Sequence, residues 1–432
     1  MTTSRRRRIP LLAIGVAMSL VTLACGNSSG SKGDAEKTSK AVSVDAPGVS
    51  DTEIRVGGVA AITNPLGGKY DEHAKGVEAY FEMVNADGGI DGRKLKFAVN
   101  RDDATSNNPA AVQQLISQDD VFAVLPVSTV LFTGADKLVE ANVPTFGWLI
   151  NAEWGGTKAE PKSNLFGQYG SYLCFTCASP SAPFLAQEAG ASKVGLLAYN
   201  VPQSADCATG FEASFKKFPT AKVVFADKSL NFGGGDFGVQ VSEMKKAGVD
   251  LVLTCMDFNG VVALAREMKR QGLDAVQSLP NAYDPELLED FGDLFQGSYV
   301  FTFFTPFEMK DPPKALKTYL KWMEKTNTPA NENTMNGWLN AALFVEGLRQ
   351  AGKDFSRQKV IDAINSMDDW TADGLLPGVD WTTAHYETAD PSCGAVSQVD
   401  GDSFKPVFGK PGKPFVCIPL DAKDVSEAKI TG

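Results

Sequence analysis

Histidine is scarce: the chain of 432 residues has two, His73 and His385. They lie far apart and form no HxxxH or HxH pair, which excludes a histidine-rich metal site, and a zinc site would require reduced cysteines. No GxxxxGK[ST] phosphate loop occurs, and residues 51–432 contain no G-x-S-x-G elbow. Only one long uncharged apolar run is present, so a many-span membrane protein is excluded. Basic residues are outnumbered, 41 Lys+Arg against 52 Asp+Glu, for a formal charge of −11. That balance argues against nucleic acid or an anionic membrane surface as partner, because both repel the chain at long range. What the chain has is a hydrophobic fraction of 43%, ample to build cores, so it is not a disordered chain. Its length sets a prior of two or three domains.

The apolar run sits at the N-terminus. Arg5, Arg6, Arg7 and Arg8 precede residues 9–24, a stretch too short for the ~20 residues that cross a bilayer. Positive region, short apolar region and small residue read as an export signal over residues 1–24. The segment Thr22-Leu23-Ala24-Cys25-Gly26 resembles the lipobox of bacterial lipoproteins, which implies cleavage before Cys25 and its diacylation. A plain secretory signal with an ordinary thiol at Cys25 is the alternative. Removing residues 1–24 takes away four arginines and no acid, so −11 becomes −15. Residues 25–50, rich in Ser, Gly, Lys, Asp and Ala, read as a flexible tether.

Six further cysteines remain, and an even number in an exported chain suggests disulfides. Sequence proximity favours Cys393 with Cys417. Cys207 and Cys255 each follow a predicted strand and can meet across neighbouring strand ends. That leaves Cys174-Phe175-Thr176-Cys177. This CxxC stands mid-chain without the strand and helix of a thioredoxin unit, so it reads as a local disulfide.

The body alternates strand and helix. Residues 54–61, 95–99, 121–125 and 143–146 read as strands. Residues 71–85, 109–118 and 131–141 read as helices. The pattern then restarts, with strands at 193–199, 223–225, 251–254, 276–279 and 299–303 and helices at 207–218, 236–247 and 258–271. Helices over 314–325, 335–351 and 357–367 follow, and beyond Asp368 the chain turns Gly-, Pro- and Asp-rich. Such alternation implies an α/β fold with mostly parallel sheets flanked by helices. Two successive units imply two lobes with strand-end loops lining the cleft between them, and a hinge motion on ligand binding.

One set of motifs is more specific. Asn64-Pro65-Leu66-Gly67-Gly68 stands before a helix that runs into Asn85-Ala86-Asp87-Gly88-Gly89-Ile90-Asp91-Gly92-Arg93. Asp102-Asp103, Asn108-Pro109-Ala110 and Val143-Pro144 follow. This succession resembles the N-terminal lobe of type I periplasmic binding proteins of the leucine/isoleucine/valine-binding branch, over roughly residues 51–410. The resemblance implies a two-lobed flytrap fold with three crossovers between lobes. Residues 51–168 and 306–370 would form lobe 1, and 169–305 and 371–432 lobe 2. It also implies delivery of a small solute to an ABC permease and its ATPase, with no cofactor. A lipid anchor at Cys25 would hold the protein on the outer face of the cell membrane.

The candidate ligand contacts follow from strand ends and from that resemblance. Ser128 and Thr129 stand before the helix read over 131–141. They either cap it or hold a ligand carboxylate, as the matching loop does in the family. Leu66 lies in the loop after the first strand. Phe146 and Trp148 follow a strand end, and Trp148 either stacks on a ligand or packs in the hinge. Tyr199 and Gln203 stand where the family places an aromatic wall. Asp257, Phe258 and Tyr283 follow later strands, and a carboxylate in these loops holds the ammonium in amino-acid binders of the family. Asp284, before Pro285, reads equally as a helix N-cap. Asp102-Asp103 reads as fixing its own loop, Gly233-Gly234-Gly235 as a turn before a helix, and His73 as a cleft-edge or solvent residue.

Three functions compete. The first is a solute-binding lipoprotein of an ABC importer, taking an amino-acid-like solute or a small carboxylate or amide. The second is a ligand-sensing receptor module of the same fold. The third is a secreted hydrolase, for which the body of the chain offers no catalytic constellation.

Overall fold

A computed structural model describes residues 42–389 and 392–432. The export signal, Cys25 and most of the tether lie outside the described residues. The expected tether ends sooner than residue 50, because Val42 O accepts a hydrogen bond from Arg93 Nη2 and Gly48 N–H donates to Asp120.

The first lobe opens with β1 (Glu53–Ala60), α1 (Glu72–Ala86), β2 (Lys94–Asp102), α2 (Asn108–Ser117), β3 (Ala123–Ser128), α3 (Ala135–Glu140), β4 (Thr145–Gly147) and β5 (Leu165–Gly167). Its five strands are all parallel in the order β2-β1-β3-β4-β5. The chain then crosses over. It forms α4 (Ser181–Glu188), β6 (Lys193–Tyr199), α5 (Pro202–Lys217), β7 (Lys222–Leu230), α6 (Gly238–Ala247), β8 (Leu251–Cys255), α7 (Phe258–Gln271), β9 (Val276–Leu279), α8 (Pro285–Phe295) and β10 (Tyr299–Thr302).

It returns to the first lobe with α9 (Lys314–Thr326), α10 (Glu332–Ala351) and α11 (Arg357–Asn365). A third passage leads to β11 (Ser392–Asp400), β12 (Ser403–Val407), β13 (Phe415–Ile418) and β14 (Lys429–Thr431). The second sheet runs β14-β13-β11-β10-β9-β8-β6-β7, with β12 beside β11. Its part from β7 to β10 is parallel, and the C-terminal strands add an antiparallel extension.

Burial explains the local sequence. All six residues of β3 are buried, as are six of the seven in β6, because helices cover both faces of a parallel sheet. Helix α10 is apolar around most of its circumference because β3 and β4 lie on one side and α1 and α11 on others. Its contact with α1 is backbone-close: a Cβ on Gly76 would stand 2.0 Å from Thr334 O, and one on Gly337 1.8 Å from His73 O.

Two departures from the sequence reading matter. Strand β3 continues to Ser128, and α3 does not begin until Ala135 with Gly134 at its N-cap. Ser128 and Thr129 therefore cap no helix. Strand β5, helix α4 and the four C-terminal strands were not among the expected elements. Disulfides join Cys174–Cys177, Cys207–Cys255 and Cys393–Cys417. The last ties the paired strands β11 and β13. Among the described residues no helix is long and apolar enough to cross a membrane.

Candidate functional site

The loops at the carboxyl ends of the two sheets meet. Asn259 N–H donates to Leu66 O at 3.3 Å, and Asn259 Nδ2 to Pro65 O at 3.3 Å. Gly67, with φ of 77°, lies so close that a Cβ would strike the Asn259 amide at 2.4 Å. Lys69 Nζ reaches Glu286 at 2.6 Å and Asp284 at 3.4 Å. Both partners of the Lys69–Glu286 pair are substantially exposed, so it contributes at most ~1 kcal/mol. Near the crossovers, Glu332 N–H donates to Tyr283 O at 2.8 Å.

Within this junction Tyr199 and Asp257 form a pair. The Tyr199 hydroxyl donates to Asp257 Oδ2 at 2.5 Å, while Asp257 Oδ1 accepts from Gly260 N–H and caps α7. Burial, and then the Asp257 hydrogen bond, raises the Tyr199 phenol well above its ordinary range. Tyr70, from the first lobe, is raised by burial and by the charge of Asp257. Two phenols from opposite lobes thus flank one carboxylate. Phe232 sets its ring 5.7 Å from Tyr199, edge-on.

Beneath them lies an apolar cluster of Ala61, Leu66, Tyr70, Val130 and Trp148. Trp148 is 5% exposed, with Tyr70 at 5.2 Å and His73 at 5.6 Å between ring centroids. His73 is fully buried rather than at the cleft edge or in solvent, because α10 covers its face of α1. Its Nδ1 faces Tyr70 O at 3.2 Å, which assigns the proton to Nδ1 and leaves Nε2 without a partner. Burial lowers its pKa to about 3, so the ring is neutral.

The remaining candidates divide. Thr129 Oγ1 donates to Asp103, which also accepts from Thr105 N–H and Asn108 Nδ2. Asp102 accepts from Thr63 N–H and Ala104 N–H. The aspartate pair does fix its own loop. Ser128 is fully buried, and its Oγ has no partner. Phe146 does not face the cleft: strand alternation turns its ring into the core against Phe166 and Phe344. Phe258 packs on Phe291 of α8. Tyr283 is buried against Phe404, and its hydroxyl donates to Glu308 and accepts from Phe307 N–H. Asp284 is the N-cap of α8, accepting from Glu286 N–H.

A cavity of about 100 Å³ opens between the lobes beside this junction, and Gln203 lines it together with Asn151. A larger groove, about 1,090 Å³, lies elsewhere, over α1, α10 and residues 366–375, and shares no residue with the junction. It carries none of the strand-end loops.

The sequence matches the periplasmic binding protein family model over residues 53–403. The chain belongs to that family. A Leu/Ile/Val-binding protein homolog 3 from Brucella melitensis biotype 1 is 28% identical over 335 residues, 72% of this chain and 83% of that protein. Among solved structures, a fatty acid ABC transporter substrate-binding protein from Thermomonospora curvata superposes with TM-score 0.69. It is 19% identical and covers 90% of this chain and 97% of its own. A branched chain amino acid ABC transporter protein from Thermus thermophilus with bound valine gives TM-score 0.66 at 20% identity, covering 82% of this chain and 95% of its own. Those identities show the fold, a type I periplasmic binding protein with parallel sheets flanked by helices. A periplasmic binding protein works outside the cytoplasm, binding a small solute for a transporter rather than transforming it.

Sequence reasoning missed Lys69, Tyr70, Asn151 and Asn259 at this family's cleft. Tyr70 and Lys69 follow the noted Gly67-Gly68 turn, which was a usable signal. Asn259 gave none, because its partners Pro65 and Leu66 are almost two hundred positions away. Among the described residues no group of three His, Cys, Asp or Glu is placed to hold a metal.

Proposed function

We propose that this protein is a lipid-anchored solute-binding component of an ABC importer. It captures a small polar or amphipathic solute, amino-acid-like or a small carboxylate or amide, between two lobes. Residues 51–168 with 306–370 act as one lobe, and residues 169–305 with 371–432 as the other. Cys25 carries the lipid, and the permease with its ATPase receives the solute. The observation that carries this reading is the meeting of strand-end loops from both sheets around Tyr70, Trp148, Tyr199 and Asp257. Aromatic faces supply non-directional area, and the buried Ser128 Oγ supplies a polar group with no protein partner to satisfy.

The relatives support the solute class without fixing it, since they are named for branched-chain amino acids and for a fatty acid. A thermal-shift screen across amino acids, amides and carboxylates tests the reading. A bound solute at 100 times its dissociation constant stabilises by about 2.7 kcal/mol. The solute should be recovered unchanged at one equivalent; release of an altered product, or no stabilisation by any solute, sinks the proposal.

A further inference from the structure

We infer that the Cys174–Cys177 disulfide is a redox-sensitive clasp, which a dithiol reductant opens to loosen one wall of the cavity between the lobes. The inference rests on the solute-binding reading and adds a regulation to that site. Among the described residues this bond has the shortest span, a sequence separation of 3 against 24 and 48 for the other two. A short closed loop removes little freedom from the open chain, so the fold gains least from keeping this bond. Of the six paired cysteines only Cys177 is exposed; Cys174, Cys207, Cys255 and Cys393 are half-buried and Cys417 is buried. Exchange needs access for the attacking thiolate, and exposed disulfides are the labile ones.

The loop that this bond closes is part of the cavity wall. Phe175 lines the space of about 100 Å³ together with Pro202 and Gln203 of α5, opposite Leu131 and Asn151 of the first lobe. Its backbone lies against α5: a Cβ on Gly210 would stand 2.0 Å from Phe175 O, and Ser179 N–H donates to Ser214 Oγ at 2.9 Å. Within the loop Cys177 N–H donates to Cys174 O at 3.2 Å. Residues 172–179 belong to no helix or strand, so the disulfide is the covalent closure of an irregular segment. Helix α5 is held independently, because Cys207–Cys255 ties it to β8 and Ser204 Oγ links Tyr199 N–H to Cys255 O. Opening Cys174–Cys177 therefore frees Phe175 while α5 stays in place.

The exchange runs in two displacements. A thiolate of the reductant attacks Cys177 Sγ, the S–S bond breaks, and Cys174 leaves as a thiolate that takes a proton. The reductant's second thiol gives up its proton and attacks its own sulfur in the mixed disulfide, and Cys177 leaves as a thiolate and is protonated. Two electrons and two protons pass to the protein, and the reductant becomes a disulfide. The pair is a target of this chemistry rather than its catalyst: a helix N-terminus helps to lower the thiolate pKa of a catalytic pair, and α4 starts only at Ser181. A freed loop has to be ordered again each time the lobes close on solute. Fixing the backbone of one residue costs on the order of a tenfold factor in an equilibrium constant, so the reduced protein holds its solute about tenfold less tightly.

The test titrates the full-length protein with dithiothreitol, traps free thiols with N-ethylmaleimide and locates them by mass spectrometry, with hydrogen exchange measured on the same samples. Cys174 and Cys177 should be labelled first, at about tenfold less reductant than the other two pairs require. Amides of residues 172–178 should then exchange about tenfold faster, while α5 stays protected. Cys174→Ser/Cys177→Ser should show the fast exchange without dithiothreitol and no further change when it is added. The inference is overturned if Cys207–Cys255 or Cys393–Cys417 opens first, or if exchange over residues 172–178 is the same in the oxidised, reduced and double-serine proteins. An amino acid, amide or carboxylate that stabilises the oxidised protein in the broad screen should bind the reduced protein about tenfold less tightly, and equal affinity also overturns the regulation. Failure of the solute-binding reading shows separately, as no stabilisation of the oxidised protein by any solute, whatever the order of labelling.

Discussion

At the scale of single residues, the buried side chains with spare chemistry make the sharpest predictions. His73 is neutral in the folded protein, with its pKa lowered to about 3 by burial. In the unfolded chain the ring takes up a proton below its ordinary value near 6.5. Stability is therefore lost as pH falls from about 6.5 toward 3, by up to about 1.4 kcal/mol per unit. His385, lowered to about 4 by burial, adds to the same acid limb. His73→Gln should flatten the melting temperature between pH 6.5 and 4.5, and an unchanged slope would show that His73 is not responsible. Tyr199→Ala removes both an aromatic wall and the donor to Asp257, and we expect about tenfold weaker solute binding. Ser128→Ala removes the orphaned hydroxyl and should also weaken it. Unchanged affinity in both variants would place the site elsewhere. Sequence alone pointed to Ser128, Tyr199 and Asp257 through their places at strand ends. It could not show that Thr129 is tied to Asp103 or that Phe146 turns inward. Those facts depend on where β3 stops and which face β4 buries, and a shift of one residue inverts both.

At the scale of elements, the α1–α10 contact is the tightest joint in the first lobe. Backbone meets backbone at Gly76 and Gly337, so a methyl group there has no flexible side chain to push aside. Gly76→Ala and Gly337→Ala should each destabilise by about 3 kcal/mol or more, at the upper end for overpacking, read as a lowered denaturant midpoint. A loss below about 1 kcal/mol would mean that the helices can slide apart cheaply. Most elements were legible in the sequence where periodicity was long or burial two-sided: β6, α7 and β9 run over the predicted residues. The C-terminal strands were not. They are short or antiparallel pieces whose partners lie across the sheet, and Gly, Pro and Asp between them hide any period. Helix α3 proved half as long as expected because the chain after β3 spends residues 129–134 in irregular backbone.

At the scale of the whole molecule, the junction between the lobes holds a titratable group. Glu332 begins α10, its N–H donates to Tyr283 O, and burial pushes its carboxyl up to about 7. If the open form wets this carboxyl, its pKa there falls toward the ordinary carboxylate range, and the closed form binds the proton more tightly. Closure, and with it solute affinity, should then strengthen as pH drops from about 8 through 7 and level off near the open-state value. Titration calorimetry at pH 5.5 and 8 checks this, and Glu332→Gln should abolish the difference. Two lobes and a cleft were legible from the repeated strand–helix pattern; the contacts that join the two sides were not, because they link residues some two hundred positions apart. One feature of the crossovers has a mechanical meaning. Tyr169 follows β5 on the first passage between sheets, Phe303 follows β10 on the second, and their rings stack at 3.8 Å and 17°. The stack couples the two connectors to each other. A stacked aromatic pair contributes about 0.5–1.5 kcal/mol, so drawing one connector away from the other costs roughly that much.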